Sequence, residues 1–208
     1  MRFTRLAIAM MLVVPVAAHA QSSDSLSLQG RSNVTIGLGL TGSHNATASA
    51  SGVASNTSSW ELGSIAFHHW IRPQVAMLVE IDAMSEDNLA TPTGSHSNEI
   101  TPLLVGFRYS PRAVAITRSL RPYASAAAGA YFHSMSETSI VGTASASTET
   151  APGARLAVGS DWFAARYFVV SVEGAYHAIG SFGHPDVATE MAHGFGASLA
   201  FGFAWGGN

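Results

Sequence analysis

Large apolar residues and small residues alternate without a break along the C-terminal stretch 193–205. Counting by twos puts the bulky residues on one face of a β-strand and the small ones on the other. The bulky face holds Phe195, Ala197, Leu199, Phe201, Phe203 and Trp205, and the small face holds Gly194, Gly196, Ser198, Ala200, Gly202 and Ala204. A soluble strand normally shows charged residues to water, whereas a membrane barrel turns its bulky face to lipid. The stretch therefore predicts the closing strand of a transmembrane β-barrel.

A similar alternation recurs seven times upstream. The predicted strands cover approximately 31–41, 59–71, 74–85, 99–109, 122–133, 153–163, 167–178 and 193–205. Long polar connections at 44–58, 86–98, 134–152 and 179–192 alternate with shorter ones. Short periplasmic turns and longer extracellular loops are typical of bacterial outer-membrane barrels. We therefore predict an all-β fold, an eight-stranded antiparallel up-and-down transmembrane β-barrel over residues 31–205.

Two of these strands have a register that the pattern leaves open. In 59–71, Trp60 and Trp70 lie ten residues apart on one face, which matches the roughly 25 Å between two aromatic girdles. This register predicts that four residues face outward: Trp60, Leu62, Ala66 and Trp70. It also sends Ile65 and Phe67 into the lumen, unless a bulge near Gly63 reverses half the strand. Strand 122–133 carries small residues on both faces, so its register is weakly marked.

The N-terminal stretch 1–20 has the pattern of a secretory signal peptide. Arg2 and Arg5 precede an apolar run over 6–18, and Ala18-His19-Ala20 forms a cleavage site. The run is too short to cross a bilayer as a helix, which takes roughly 20 residues. We predict a signal peptide at 1–20, a short periplasmic leader at 21–30, and a short tail at 206–208.

Composition narrows the function classes. Beyond residue 20 the chain has eight arginines, thirteen acidic residues, no lysine and no cysteine. An acidic chain without a basic run argues against nucleic acid as a partner. Without cysteine, neither a disulfide framework nor a thiolate site is available. We expect no cofactor.

Seven charged residues fall on the predicted inward faces, and they are the candidate site. The set is Glu61, Glu80, Asp82, Arg108, Arg155, Asp161 and Glu173. An eight-stranded barrel is only wide enough for side chains to fill it, so we expect these groups to meet one another. They form either a structural network of ion pairs or a polar conduit or active site, and buried charges favour the network.

Three stretches resemble the small eight-stranded barrels of the outer-membrane protein A and opacity-type superfamily. The first joins Gly106-Phe107-Arg108-Tyr109 to Leu120-Arg121-Pro122-Tyr123, the second joins 155–162 to Glu173-Gly174-Ala175-Tyr176, and the third is the closing strand. The resemblance implies the same barrel fold in the outer membrane. Members of the family typically end on an aromatic residue, whereas this chain continues through Gly206-Gly207-Asn208.

Some barrels of this size are lipid-modifying enzymes, which makes a Ser/His/carboxylate site a question for this chain. The deacylases among them share a His-x-Ser motif, and no His of this chain has Ser two positions later. Five histidines lie in or beside the long connections, where imidazoles suit zinc or copper: His44, His96, His133, His184 and His193. Their spacing marks no ligand set, so we expect neither catalysis nor a metal site.

The charges differ between the two ends of the predicted barrel. The four long connections contain no arginine, while they and their edges hold Glu86, Asp87, Glu99, Glu137, Glu149, Asp186 and Glu190. Lipid and lipopolysaccharide are the expected partners, and divalent cations would bridge phosphates to this acidic rim.

The function expected from this sequence is a non-enzymatic, monomeric outer-membrane barrel with a structural or surface-interaction role, presenting four polar loops whose ligand is unknown. The alternatives are a narrow pore for small solutes, a lipid-modifying enzyme, and a soluble barrel of lipocalin type. Planar-bilayer conductance distinguishes the pore from a closed barrel.

Overall fold

The structure is a computed structural model that describes residues 28–49, 52–86, 89–91, 94–111, 119–139, 144–164, 167–180 and 193–206. The predicted signal peptide, most of the leader and residues 207–208 lie outside these ranges. None of the described residues belongs to a helix long and apolar enough to cross a membrane.

The described residues form nine strands, and eight of them make up one closed barrel. They are β1 (Arg31–Ser49), β2 (Gly52–Arg72), β3 (Val75–Glu86), β4 (Leu89–Thr91), β5 (Gly94–Tyr109), β6 (Leu120–Ser139), β7 (Ala144–Phe163), β8 (Phe168–Ile179) and β9 (His193–Gly206). Sheet order is β3-β2-β1-β9-β8-β7-β6-β5-β4, and an additional β3–β5 pairing closes the barrel. All pairings are antiparallel. The predicted fold class is confirmed. The short β4 pairs with β5 alone and is not one of the eight barrel strands.

The outer surface carries an apolar belt, to which every barrel strand contributes alternate residues. Leu38 on β1 is 74% exposed and Phe195 on β9 is 69% exposed, as expected of side chains that face lipid. Near the end of the barrel that holds Arg31 and Gly206, Trp205 contacts Phe67 and Phe203, with ring centroids 6.2 and 6.3 Å apart. The outward faces predicted for β1, β3, β5, β7, β8 and β9 are confirmed.

The predicted register of strand 59–71 was wrong. Ile65 and Phe67 are exposed on the outer surface, while Leu62, Ala66 and Trp70 are buried inside. The β1–β2 pairing runs through Gly63 without a shift, and the irregularity lies instead between Trp70 and Arg72. The spacing of the two tryptophans suggested girdles, but a narrow lumen also needs bulky side chains to close its ends. Trp70 serves that purpose, together with Leu28 and Phe163.

The long polar connections are largely strand. The β1–β2 pairing continues to Ser49 and Gly52, and the β6–β7 pairing continues to Thr138 and Ala144. The predicted loops at 44–58 and 134–152 are therefore mostly β-ribbons that extend the barrel beyond its apolar belt. Periodicity could not reveal them, because a ribbon with water on both faces has no apolar face to alternate. Most of the connection 179–192 lies outside the described residues.

Two outward-facing positions of β7 test where the belt ends. We expect Leu156→Arg to lower the free energy of unfolding by about 2–4 kcal/mol, because arginine there faces hydrocarbon. Thr148→Arg, on the same face but in the ribbon, should change it by less than about 0.5 kcal/mol. Urea unfolding of both variants in lipid bilayers measures the difference. Equal losses would show that the belt does not end between these positions.

Candidate functional site

Six of the seven charged residues expected in the lumen are buried inside the barrel. Glu80 and Asp82 come from β3, Arg108 from β5, Arg155 and Asp161 from β7, and Glu173 from β8.

Glu61 stands apart from this group. In the backbone register, Glu61 pairs with Leu40 and Ser85, whose side chains are exposed. The position of Glu61 on β2 therefore does not alternate in step with the positions that face the lumen. Its side chain is outside the part of the structure that is described.

Arg108 and Asp161 form one half of the network. Both carboxylate oxygens of Asp161 accept hydrogen bonds from Nη1 of Arg108, at 3.1 and 2.9 Å. Ser171 Oγ donates a further bond of 2.6 Å to Asp161 Oδ1. The guanidinium carbon of Arg108 stands 3.6 Å from the ring centre of Tyr123, which is cation–π geometry. The charge of each group is therefore matched by a neighbour.

Arg155 forms the other half and joins it to the first. Its Nη1 lies 3.2 Å from Glu80 Oε2, and its Nη2 donates to Glu173 Oε1. Glu173 Oε2 accepts a 3.0 Å bond from the Tyr123 hydroxyl and lies 3.8 Å from Arg108 Nη2. Glu173 is thus shared by both arginines, and the ion pairs run continuously from β3 across β7 and β8 to β5.

The network is not balanced one to one. Four buried carboxylates face two guanidinium groups among these six residues. Asp82 is the residue left over: neither arginine lies within 4.0 Å of its carboxylate, and its charged neighbour on the same strand is Glu80, another acid. The excess of acids that the sequence indicated is therefore concentrated on β3.

Two tyrosines that the sequence reading overlooked organise the same wall. Tyr123 on β6 crosses Gly159 on β7 to reach Glu173 on β8. Tyr131 lies over Gly153 in the same way, and its hydroxyl is 3.2 Å from Nδ1 of His177 on β8. A glycine on the middle strand leaves room for each ring. The sequence feature that indicates such a crossing is a Tyr on the inward face of one strand and a Gly near the paired position on the next strand.

Apolar clusters lie on both sides of the charged layer. The cluster at the end of the barrel that holds Arg31 and Gly206 is Leu28, Trp70, Ala76, Phe163, Val169 and Ala204. Towards the opposite end lie Leu62, Ala66, Leu78, Met84, Ile100, Leu104, Ala127, Tyr131, Ala151 and Ile179. The larger cluster also reaches the level of the charges, because Ala66 and Leu104 pair directly with Glu80. The ion pairs therefore lie against apolar side chains of both clusters.

The structure brings together no set typical of nucleophilic catalysis around the buried groups described. Ser171 bonds Asp161, but Nδ1 of the buried His177 contacts Tyr131 instead of a serine. The described residues also contain no cluster of three potential metal ligands. At the rim, Glu99 is exposed and Glu149 is half-buried, while Asp87, Asp186 and Glu190 lie outside the described residues.

Comparison with known proteins reveals likeness at the level of fold. No family model matches the chain, and no curated protein matches its sequence. Ail, the attachment invasion locus protein of Yersinia pestis, is 10% identical at a TM-score of 0.56, covering 85% of this chain and 99% of Ail. Neisserial surface protein A is 15% identical at 0.54, covering 85% and 96%. OprG of Pseudomonas aeruginosa is 12% identical at 0.51, covering 86% and 97%. The fold is that of the small outer-membrane β-barrels.

The crossing of Tyr123 over Gly159 can be tested with one methyl group. A Cβ at Gly159 would stand 2.6 Å from the Tyr123 hydroxyl and 2.5 Å from the Val172 carbonyl oxygen. We expect Gly159→Ala to lower the free energy of unfolding by about 1–3 kcal/mol through overpacking. In Gly63→Ala, whose Cβ would meet nothing nearer than 4.0 Å, the loss should stay below about 1 kcal/mol. Similar losses, measured by urea unfolding, would show that Tyr123 has room to move.

Removing Arg155 should leave buried Glu80 without a cation and buried Glu173 with only the more distant Arg108. We expect Arg155→Met to lower the free energy of unfolding in lipid by about 3–5 kcal/mol. The double variant Arg155→Met/Glu173→Gln should recover part of that loss, because one stranded negative charge is removed with it. A double variant no more stable than Arg155→Met would indicate that the two residues are not coupled.

Proposed function

We propose that the protein is a non-enzymatic outer-membrane barrel that displays β-ribbons at the cell surface for interaction with other molecules. The observation that carries the proposal is the continuation of the β1–β2 and β6–β7 pairings well past the apolar belt. The β7 segment from Ala144 to Thr150, at about 3.3 Å per residue and a tilt near 40°, rises roughly 18 Å. A purely structural barrel needs no such extension.

The filled lumen supports display over transport. Trp70 and Leu28 lie in the apolar cluster near the termini, and Met84 and Ile100 lie in the cluster towards the other end. Between them the arginines are held by carboxylates on several strands. A solute would have to displace both clusters and break buried ion pairs, so the barrel acts as a rigid base. This also disfavours the narrow pore as an alternative.

Charge indicates the kind of molecule the outer end favours. The four long connections carry no arginine, and the chain has no lysine. Ail, which shares this fold, has been solved in complex with the heparin analogue sucrose octasulfate. An acidic rim repels such a polyanion unless divalent cations intervene, and the same holds for lipopolysaccharide phosphates. We therefore propose neutral or basic surfaces as direct partners, and cation bridges wherever the rim meets lipopolysaccharide.

The proposal includes the processing of the chain. Removal of residues 1–20 as a signal peptide delivers the remainder to the periplasm, and strands 31–205 then form the membrane domain. The first residue of β1, Arg31, pairs with the last residue of β9, Gly206, so both lie at the same end of the barrel. The ribbons lie at the opposite end, which in this arrangement is the outer surface.

Single cysteines test this display, because the chain has none of its own. Ser147 in the β7 ribbon and Arg72 beside the β2–β3 turn are both exposed, at opposite ends of the barrel. A membrane-impermeant maleimide should label Ser147→Cys in intact cells. Arg72→Cys should be labelled only after the outer membrane is permeabilised. The reverse pattern would place the ribbons in the periplasm and overturn the proposed function.

A further inference from the structure

One polar pair lies on the outer wall of the barrel, among side chains that face lipid. Ser32 on β1 and His69 on β2 occupy directly paired positions, and Ser32 Oγ lies 2.9 Å from Nδ1 of His69. The neighbours of His69 along β2, His68 and Trp70, are buried inside the barrel, so His69 itself points outward. The pair is therefore separate from the charged network of the lumen.

Apolar side chains surround the imidazole of His69 on this wall. Phe67, two positions away along β2, and Met77, which pairs with His69 on β3, are both exposed to lipid. On the other side, Trp205 pairs with Ser32, and its ring reaches that of Phe67 across β1. Ser32 is almost completely covered in this arrangement, while His69 stays partly exposed.

The contact with Ser32 fixes the imidazole and leaves one ring nitrogen for another partner. Nδ1 faces the serine, so Nε2 lies on the far side of the ring from β1. Among the described residues, none hydrogen-bonds Nε2 of His69. A polar group that meets apolar surroundings without a partner is costly. Nε2 therefore needs a partner that these residues do not supply.

The pair lies at the height where lipid headgroups begin. Ser32 is the second residue of β1 and pairs with Trp205, next to the end of β9. Tyr109 ends β5 and Trp162 lies next to the end of β7, and both are exposed on the outer wall at the same end of the barrel. Exposed tryptophan and tyrosine of this kind mark the boundary between hydrocarbon and headgroups. Phospholipid phosphates lie next to this boundary.

The chemistry of the pair suits an anionic oxygen. A phosphate diester offers hydrogen-bond acceptors only, so Nε2 of His69 carries the hydrogen and the Ser32 hydroxyl donates to Nδ1. Arg72 is exposed at the end of β2, three residues beyond His69, and adds positive charge on the headgroup side. No carboxylate of a described residue hydrogen-bonds His69. The pair thus lacks the third group that orients the base in a catalytic triad.

We propose that Ser32 and His69 form a binding site for the phosphate group of a glycerophospholipid on the outer wall of the barrel. His69 Nε2–H donates to a phosphate oxygen, and Ser32 holds the imidazole in the tautomer that permits this bond. Phe67 and Met77 contact the acyl chains of the same lipid. With the ribbons at the cell surface, the lipid belongs to the inner leaflet, and only this choice of leaflet rests on the proposed function.

Solid-state NMR tests the contact directly. The full barrel is prepared with isotope-labelled histidine nitrogens and reconstituted in phosphatidylglycerol bilayers, and the loss of each nitrogen signal caused by nearby lipid phosphorus is measured. We expect a loss at Nε2 of His69 and none at His68, its neighbour on the lumenal face. The spectrum of His69→Phe identifies the signal of His69. In Ser32→Ala the loss should be smaller, because the imidazole is no longer fixed.

Two lipids separate phosphate binding from a general effect on the barrel. Digalactosyl diacylglycerol has acyl chains but no phosphate. We expect His69→Phe to raise the equilibrium constant for unfolding about tenfold in phosphatidylglycerol bilayers, because a hydrogen bond to a charged group is lost. In the galactolipid the increase should stay below about twofold. His69→Gln, which keeps a side-chain N–H, should lose less stability in phosphatidylglycerol than His69→Phe.

Three outcomes would overturn the inference. The first is no loss of the His69 signal from lipid phosphorus, and the second is an equal effect of His69→Phe in both lipids, which would indicate packing alone. The third is release of fatty acid by the unaltered barrel but not by Ser32→Ala, which would make the pair catalytic. The first two results are independent of the labelling of Ser147→Cys in intact cells, so they leave the proposed display function standing.

Discussion

The need to hydrogen-bond every backbone polar group inside a bilayer governs this molecule. In hydrocarbon an unpaired N–H or C=O costs several kcal/mol, so a sheet that spans the membrane must have no edge. The pairing of β3 with β5 removes the last edge, and its register holds from Val75 opposite Tyr109 to Ser85 opposite Glu99. Closure with eight strands then sets the width of the lumen, and the width sets what can occupy it.

A lumen of this width must be filled by side chains. This requirement explains both why glycines lie beneath the lumenal tyrosines and why the buried charges meet one another. Tyr123 crosses the strand next to it because Gly159 has no side chain, and it thereby reaches Glu173. Each arginine is held by carboxylates on more than one strand, so the ion pairs cross-link the barrel wall. Apolar clusters lie next to these pairs, and surroundings of low polarity strengthen the ion pairs.

The constraint that closes the barrel ends where the lipid ends. Beyond the apolar belt, water can hydrogen-bond a strand edge, so a strand may continue with a partner on one side only. Among the described residues, the part of β7 that precedes Pro152 pairs with β6 alone. The same segment could not exist within the bilayer. The extension of the strand pairing past the apolar belt is therefore permitted by its surroundings.

The sequence by itself determined the barrel class, because alternation of bulky and small residues reports directly which face of a strand meets lipid. It predicted the outward faces of six strands and singled out Arg108, Arg155, Asp161 and Glu173 by their phase alone. It could not assign Trp70, because a large aromatic residue suits both a lipid girdle and the end of a narrow lumen. The lumenal position predicted for Glu61 failed for the same reason, because the face on which Glu61 lies depends on the register of β2.

Only the tertiary structure decided which charged groups meet, and where pairing stops. Partners such as Glu80 and Arg155 lie on strands far apart in sequence, and their contact depends on barrel width and stagger, which no local pattern encodes. The ribbons were likewise invisible to periodicity, because strands with water on both faces have no reason to alternate. How far each ribbon extends depends on the pairing of neighbouring strands, a relation that exists only once the barrel has closed.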